Sequence, residues 1–575
     1  VKQAFLKWLF LFLLFPLQMA MAFEPAIIDQ TARFHPQLST RGMVVSQEVL
    51  ASTVGADILR QGGNAVDAAV ATGFALAVTL PQAGNLGGGG FMLVHLAKEN
   101  RSLAIDYREM APTLAHRDMF LDEQGSADAN LSRFSHKAAG VPGTVAGLLH
   151  ALDVYGTMTV EQVLAPAIGL AEEGFVVSDT LAFSLRQAAG RLRSDRASAG
   201  YFFRPDGSPM QRGDIWRQAD LAATLRQIAN QGVAGFYTGK TAELIVAEMK
   251  RGGGLITAED LANYRVLERQ PVVGDYRGYR IVSMPPPSSG GVHLVQMLNV
   301  LEGWDLHSLG HNSAAYLHLL VETMRRAYAD RSQYLGDPDF FDVPVEKLID
   351  KSYAARLRDN IDLEAASASA DVQPGQLMHE ESPQTTHFTV VDRWGNVVSN
   401  TYTLNFSYGS GISVAGAGFL LNNEMDDFSA KPSVPNAYGL LGGEANAVHA
   451  GKRPLSSMTP TIVLKDGVPI LATGSPGGST IITVVLQNIL NVIDFGMNVA
   501  EATAAPRIHH QWWPDMLQYE QGISIDTLKL LQNMGHSLNN TPRVLGKVQA
   551  ISQKSGRQYG VTDSRWPGGG AVAAD

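Results

Sequence analysis

A strand that opens on a threonine pair, straight after a polar tether, constrains this chain more than any other stretch. Pro383-Gln384-Thr385-Thr386-His387-Phe388-Thr389-Val390-Val391-Asp392 reads as an apolar-alternating strand. Residues 361–384 before it run to Ala, Ser, Gln and Glu with few large apolar side chains, the composition of a flexible linker. As an ordinary strand residue, Thr385 needs no account beyond the β-propensity of threonine. If the Gln384–Thr385 bond is cut, however, Thr385 carries a hydroxyl nucleophile beside its own α-amino group, a base that titrates near ~7.7–8. The decapeptide alone leaves both readings open.

The residues downstream add to the second reading. Thr385 to Val391 and Val397 to Asn405 flank Asp392-Arg393-Trp394-Gly395-Asn396, a loop rich in turn formers. Centring the hairpin on Trp394 sets Thr385 opposite Thr403, so a second hydroxyl stands beside the first. Thr461 to Leu464 and Ile470 to Thr473 form another hairpin around Lys465-Asp466-Gly467. Gly474-Ser475-Pro476-Gly477-Gly478-Ser479 then opens a helix that runs to about Ile493. Stacked N–H groups at a helix start make an anion site. Without a lysine for phosphate, an oxyanion hole is the more natural use.

Upstream, Lys2 and Lys7, the apolar run Trp8 to Leu17 and Ala20-Met21-Ala22 have the layout of a secretory leader ending before Phe23. Its removal takes the net charge from −10 to −12. Charges of both signs are interspersed, which gives no nucleic-acid face, and no membrane attachment is expected once the leader is gone. The absence of cysteine excludes disulfides and thiolate chemistry. Gln47 to Arg60 reads as an amphipathic helix and Ala65 to Val78 as a buried one. Gly87 to Gly90 lead into a short buried strand, Phe91 to Val94; no Lys-Ser/Thr follows, so close backbone packing is expected rather than a phosphate loop. Residues 140 to 360 read as mostly helical, with a clear helix from Ser313 to Asp330 whose Arg325-Arg326 pair is expected on a solvated face. Pro285 to Gly291 reads as a rigid turn before a helix. His509-His510 and Trp512-Trp513 are read as structural, with no metal-ligand spacing.

Taken together, the motifs resemble those of the γ-glutamyltranspeptidases, in the N-terminal-nucleophile hydrolase superfamily. Gln384-Thr385-Thr386-His387, Thr401-Tyr402-Thr403-Leu404-Asn405, Asn422 to Phe428, Arg453 to Met458 and Gly474 to Gly478 occur in that family's order, and the resemblance spans nearly the whole chain after the leader. It implies a four-layer αββα sandwich of mixed α and β structure. It also implies a precursor cut by its own Thr385 into a large subunit, 23–384, and a small one, 385–575. No cofactor and no metal are implied.

The family's roles would fall as follows. Thr385 would attack the γ-amide of glutathione or a similar donor, and Thr403 would hydrogen-bond the nucleophile. The backbone N–H groups of Gly477 and Gly478 would hold the oxyanion. Arg108, at a strand end, would grip the donor's α-carboxylate with Ser456 and Ser457. Asn405, Glu424 and Asp427 would bind its α-ammonium, and Tyr438 would cover the pocket from a Pro/Gly loop. Amino acids, short peptides or water would accept the group, in the periplasm. Two other readings remain at this point: an acylase of the same fold acting on glutaryl side chains, and a non-catalytic binding protein for γ-glutamyl peptides.

Overall fold

A computed structural model of the chain describes residues 32–372, 385–431 and 443–575. The leader, Gln384 and Tyr438 lie outside the described residues.

Two seven-stranded antiparallel sheets are stacked face to face. Their strands, in chain order, are β1 (Gln37–Ser39), β2 (Gly42–Ser46), β3 (Gly89–Leu96), β4 (Arg101–Tyr107), β5 (Leu267–Arg269), β6 (Val272–Tyr276) and β7 (Tyr279–Ser283). There follow β8 (Thr386–Asp392), β9 (Val397–Thr403), β10 (Thr461–Lys465), β11 (Val468–Gly474), β12 (Gln549–Lys554), β13 (Arg557–Thr562) and β14 (Gly570–Ala573). The first sheet runs β14-β2-β8-β9-β3-β4-β5 and the second β1-β13-β12-β11-β10-β7-β6. Helices α1 (Val49–Arg60), α2 (Ala65–Thr79) and α3 (Thr144–Tyr155) cover the outside of the first sheet. Helices α4 (Gly290–Leu301), α5 (Ala314–Tyr334) and α6 (Thr480–Ile493) lie on the side of the second. The result is the four-layer αββα sandwich, and β8 and β9 stand in the middle of its first sheet.

Both faces of β8 and β9 are covered, so every residue in them is buried. Phe388, Val390, Val398 and Tyr402 point into the helix layer. Val391 and Val397 point into the core shared with the second sheet. The pairing runs from Thr386 opposite Tyr402 to Val391 opposite Val397, the register centred on Trp394. The loop holds that register: Asp392 Oδ1 accepts from Trp394 N and Asn396 N at 2.9 and 3.0 Å, and Gly395 takes φ 86°. Beside the hairpin, the glycine run permits close backbone approach. A Cβ on Gly88 would stand 2.0 Å from the Thr403 carbonyl oxygen, and one on Gly90 would stand 2.4 Å from Tyr402 Cβ. Helix α2 is buried along its whole length and is fixed at its start by a reciprocal cap between Asn64 and Asp67.

The region 140–360 is mostly helical, as expected, and also contains β5, β6 and β7; two other expectations fail. The turn Arg277-Gly278, with φ 47° and 77°, closes the β6–β7 hairpin tightly. Arg325 and Arg326 are not solvated. Both are buried, and Glu322 pairs with each of them while Arg325 also reaches Asp515. Nor is the start of the linker free. Ser369 donates its N–H to Asp515 Oδ2 at 2.7 Å and its hydroxyl to the Trp512 carbonyl at 2.6 Å, and Trp512 Nε1 donates back to the Ser369 carbonyl at 2.9 Å.

Candidate active site

Thr385 stands just before β8, on the face of the first sheet that looks toward the second. Side chains on that face form a column: Thr385 beside Thr403, His387 beside Thr401, Thr389 beside Ser399. The column is polar at the Thr385 end and becomes apolar at Val391 and Val397. Thr385 Oγ1 lies 3.4 Å from Thr403 Oγ1, which also accepts the Asn405 N–H at 2.8 Å. His387 is not a base for this hydroxyl. Its ring nitrogens face Thr401 Oγ1 and Thr389 Oγ1 at 2.8 and 3.0 Å, and complete burial pulls its pKa down to about 3.

A small cavity opens at Thr385 and Thr403 and extends to Arg108, Glu424 and Asp427. Arg108, one residue past the end of β4, is fully buried. Its Nη1 donates to Glu424 Oε1 and its Nη2 to Asp427 Oδ2 at 2.6 Å, while its Nε donates to the Pro454 carbonyl at 3.2 Å. Glu109 Oε2 lies 3.7 Å from Arg108 Nη1. Three carboxyls thus crowd one guanidinium. Burial works against the Arg108 charge, but Glu424, Asp427 and Glu109 outweigh it and its pKa is raised. Burial pushes Glu109 up to about 7 and Asp427 to about 6, in both cases against the pull of Arg108. Burial, opposed by Arg108 and reinforced by Glu109, holds Glu424 well above the usual carboxylate range. Glu424 Oε2, Asp427 Oδ1 and both oxygens of Glu109 are buried without a hydrogen-bond partner. Buried acceptors of this kind are costly unless something fills them. An ammonium group entering the cavity would do so.

A threonine hydroxyl at the mouth of a pocket lined by two arginines and two acids is placed to attack the carbonyl of a small zwitterion. The profile of the family described as Gamma-glutamyltranspeptidase matches residues 51–573. The chain belongs to the gamma-glutamyltranspeptidase family. Among its relatives, the glutathione hydrolase proenzyme of Escherichia coli (strain K12) is 54% identical over 533 residues, covering 92% of each chain. The solved cephalosporin acylase from Bacillus halodurans superposes with a TM-score of 0.83 at 29% identity, covering 96% of this chain and 99% of that one. The Helicobacter pylori gamma-glutamyltranspeptidase structure matches with a TM-score of 0.57 at 50% identity, covering 61% of this chain and 99% of that one.

The residues singled out in the sequence do not all stand alike. Thr385, Thr403, Asn405 and Gly478 line the cavity at its reactive end. Arg108, Glu424, Asp427, Ser456 and Ser457 line the rest. Gly477 stands one residue behind Gly478, with φ 143°, and does not line it. The guanidinium of Arg108 faces the acids rather than Ser456 and Ser457. Ser457 Oγ instead accepts from Arg331 Nη2 at 3.1 Å. Arg331, Glu109 and Ser289 had drawn no notice in the sequence. For Glu109 the signal was its place next to Arg108; for Arg331 and Ser289 there was none, because each meets the site only through the fold.

The described residues also bring together a group with no sequence spacing of its own. Ligand atoms of His318, Glu322 and His536 lie within 4.8 Å of one another. Their lone pairs and protons face each other: His318 Nδ1 is 2.8 Å from His536 Nε2, and Glu322 pairs with Arg325 and Arg326. That arrangement suits a hydrogen-bonded staple better than a cation site flanked by two arginines. His509 and His510 are both buried, and Thr483, Gln511 and Asp515 are their partners. Among the described residues, no helix is long and apolar enough to cross a membrane.

Proposed function

We propose that the chain matures by cleavage at Gln384–Thr385 into subunits 23–384 and 385–575, and that the product is a γ-glutamyl transferase and hydrolase acting on glutathione and related γ-glutamyl compounds. The observation that carries this reading is the pairing of a reactive hydroxyl with a zwitterion receptor. Thr385 opens onto a cavity that offers a buried guanidinium for a carboxylate and orphaned carboxylate oxygens for an ammonium. A γ-glutamyl donor carries both charges on one carbon and its scissile amide three bonds away.

The Thr385 hydroxyl adds to the γ-carbonyl while the freed α-amino group of Thr385 takes its proton. The N–H groups of Gly477 and Gly478 stabilise the oxyanion at the start of α6. Collapse expels the amine, which recovers the proton from the α-ammonium, and leaves a γ-glutamyl ester on Thr385. Water or the amino group of an amino acid or dipeptide then takes the γ-glutamyl group and restores the hydroxyl. Thr403 steers the nucleophile. Arg108, with Ser456 and Ser457, holds the α-carboxylate, Asn405, Glu424 and Asp427 hold the α-ammonium, and Tyr438 covers the pocket. The maturation step uses the same hydroxyl on the Gln384 carbonyl. The leader supports a periplasmic location.

The test is release of the chromophore from a γ-glutamyl anilide by the mature protein, with and without a dipeptide acceptor. Release that rises with acceptor identifies a transferase, and release indifferent to it a hydrolase. A chain cut at Thr385 that leaves this anilide intact but cleaves a glutaryl one would be an acylase. A glutaryl group brings no ammonium to Glu424 Oε2 and Asp427 Oδ1, and for that reason the γ-glutamyl reading is preferred.

A further inference from the structure

The carboxylate end of the cavity contains a second cation, supplied by α5. Arg331 is 4% exposed and lines the cavity with Thr385. Its Nε donates to Ser289 Oγ at 2.9 Å and its Nη2 to Ser457 Oγ at 3.1 Å. The two hydroxyls differ in what they can still do. Ser289 has spent its proton on the Ser456 carbonyl at 2.8 Å, so it anchors the guanidinium and offers nothing more. Ser457 has given Arg331 a lone pair and keeps its proton. Because Ser457 also lines the cavity, that proton is available to an acceptor inside it.

The charge balance of the cavity gives this arrangement a purpose. A substrate carboxylate entering it meets Glu424 and Asp427, and the arginine facing them, Arg108, is already shared between these two and Glu109 behind them. Arg331 reaches the cavity beside Ser457, and its field extends far enough to lower the Asp427 pKa. We propose that Arg331 is a positioning residue for the carboxylate end of the donor: it holds Ser457 as a hydrogen-bond donor and supplies the site's second positive charge. The proposal rests on the γ-glutamyl reading above.

The test compares mature wild type, Arg331→Met, Arg331→Lys and Ser457→Ala on two anilides. One carries a γ-glutamyl group and the other a 4-aminobutanoyl group, which keeps the ammonium and lacks the α-carboxylate. Arg331→Met raises KM for the γ-glutamyl anilide about tenfold or more, the scale of a hydrogen bond to a charged group, with kcat little changed. On the aminobutanoyl anilide its KM stays at the wild-type value. Adding Ser457→Ala to Arg331→Met raises KM no further. Arg331→Lys keeps the charge and loses the two-pronged grip, so it shows a smaller rise of the same kind, and it carries the test if Arg331→Met fails to mature. An unchanged KM in the arginine variants, or an equal rise on both anilides, overturns the proposal alone. Wild type that is cut at Thr385 yet silent on the γ-glutamyl anilide overturns the γ-glutamyl reading and the proposal with it.

Discussion

Arg108 Nη2 donates to Asp427 Oδ2 at 2.6 Å across 319 residues of sequence. The two residues lie on opposite sides of the proposed cut, so the pocket belongs to neither fragment alone. Arg108, proposed for the donor's carboxylate, is paired with one oxygen each of Glu424 and Asp427, proposed for its ammonium. Binding a zwitterion is then an exchange: its carboxylate takes over the guanidinium, and its ammonium takes over the acids. Such an exchange needs a planar fork that can turn from one set of oxygens to another.

Arg108→Lys keeps the charge and loses the fork. The KM for a γ-glutamyl anilide should rise about tenfold or more, the cost of one or two charge-assisted hydrogen bonds. Processing into two fragments should continue, because Arg108 has no part in the attack on Gln384. An unchanged KM would remove Arg108 from the donor site.

Thr385→Ala removes the proposed nucleophile of both maturation and turnover. On a denaturing gel the variant should remain one chain where wild type gives two. Thr385→Ser keeps a hydroxyl in reach of Thr403 and should still be cut. Two fragments from the alanine variant would mean that another group, or another protein, makes the cut.

Glu109 gives a pH signature that needs no substrate. Burial, opposed by Arg108, raises its carboxyl from 4.5 to about 7. Between these values the folded protein holds a proton that the unfolded chain has lost. The contribution to stability is therefore fully present below 4.5 and is lost as pH rises through about 7. Glu109→Gln has no such loss. The difference in Tm, variant minus wild type, should grow more positive from pH 4.5 to about 7 and then level off. A difference that is flat across this range, or that shrinks, would mean the three acids share their proton in some other way.

The hairpin that follows Thr385 was legible because its signals are local: alternation, a loop of turn formers, and a register that one centre fixes. Helix α2 was legible for the same reason, as an unbroken apolar run from Ala65. The β6–β7 hairpin was missed although Arg277-Gly278 stands where Asn-Gly often does, since a lone arginine before glycine is a weak turn signal. Helix α5 shows the other limit. Its place was readable from Leu317, Leu320, Val321 and Met324, although it runs past Asp330 to Tyr334, but not the direction of its polar residues. Hydrophobic spacing assigns arginines to solvent unless a partner is known, and the partners of Arg325 and Arg331 include Asp515 and Ser457, both more than a hundred residues away. Polar contacts buried by the tertiary fold leave no periodic trace.

That limit leads to a stability prediction. Were Arg325 on a solvated face, Arg325→Ala would change stability by no more than about 0.5 kcal/mol. In the structure Arg325 is 1% exposed, pairs with Glu322 and Asp515 and donates to Ser369 Oγ. Its removal leaves the fully buried Glu322 with Arg326 as its remaining arginine partner, and frees Asp515, which also holds the Ser369 N–H. Breaking a buried pair from one side costs about 3–5 kcal/mol. Arg325→Ala should therefore lower the Tm of the uncut precursor and of the mature protein alike, and it should slow cutting at Thr385, because the strap from residue 360 to 372 that precedes the tether loses its anchor. Thermal unfolding and the time course of the two bands on a gel check both. A wild-type Tm would return this helix face to solvent, and a lowered Tm with unaltered cutting would show that the strap stabilises the fold without guiding the cut.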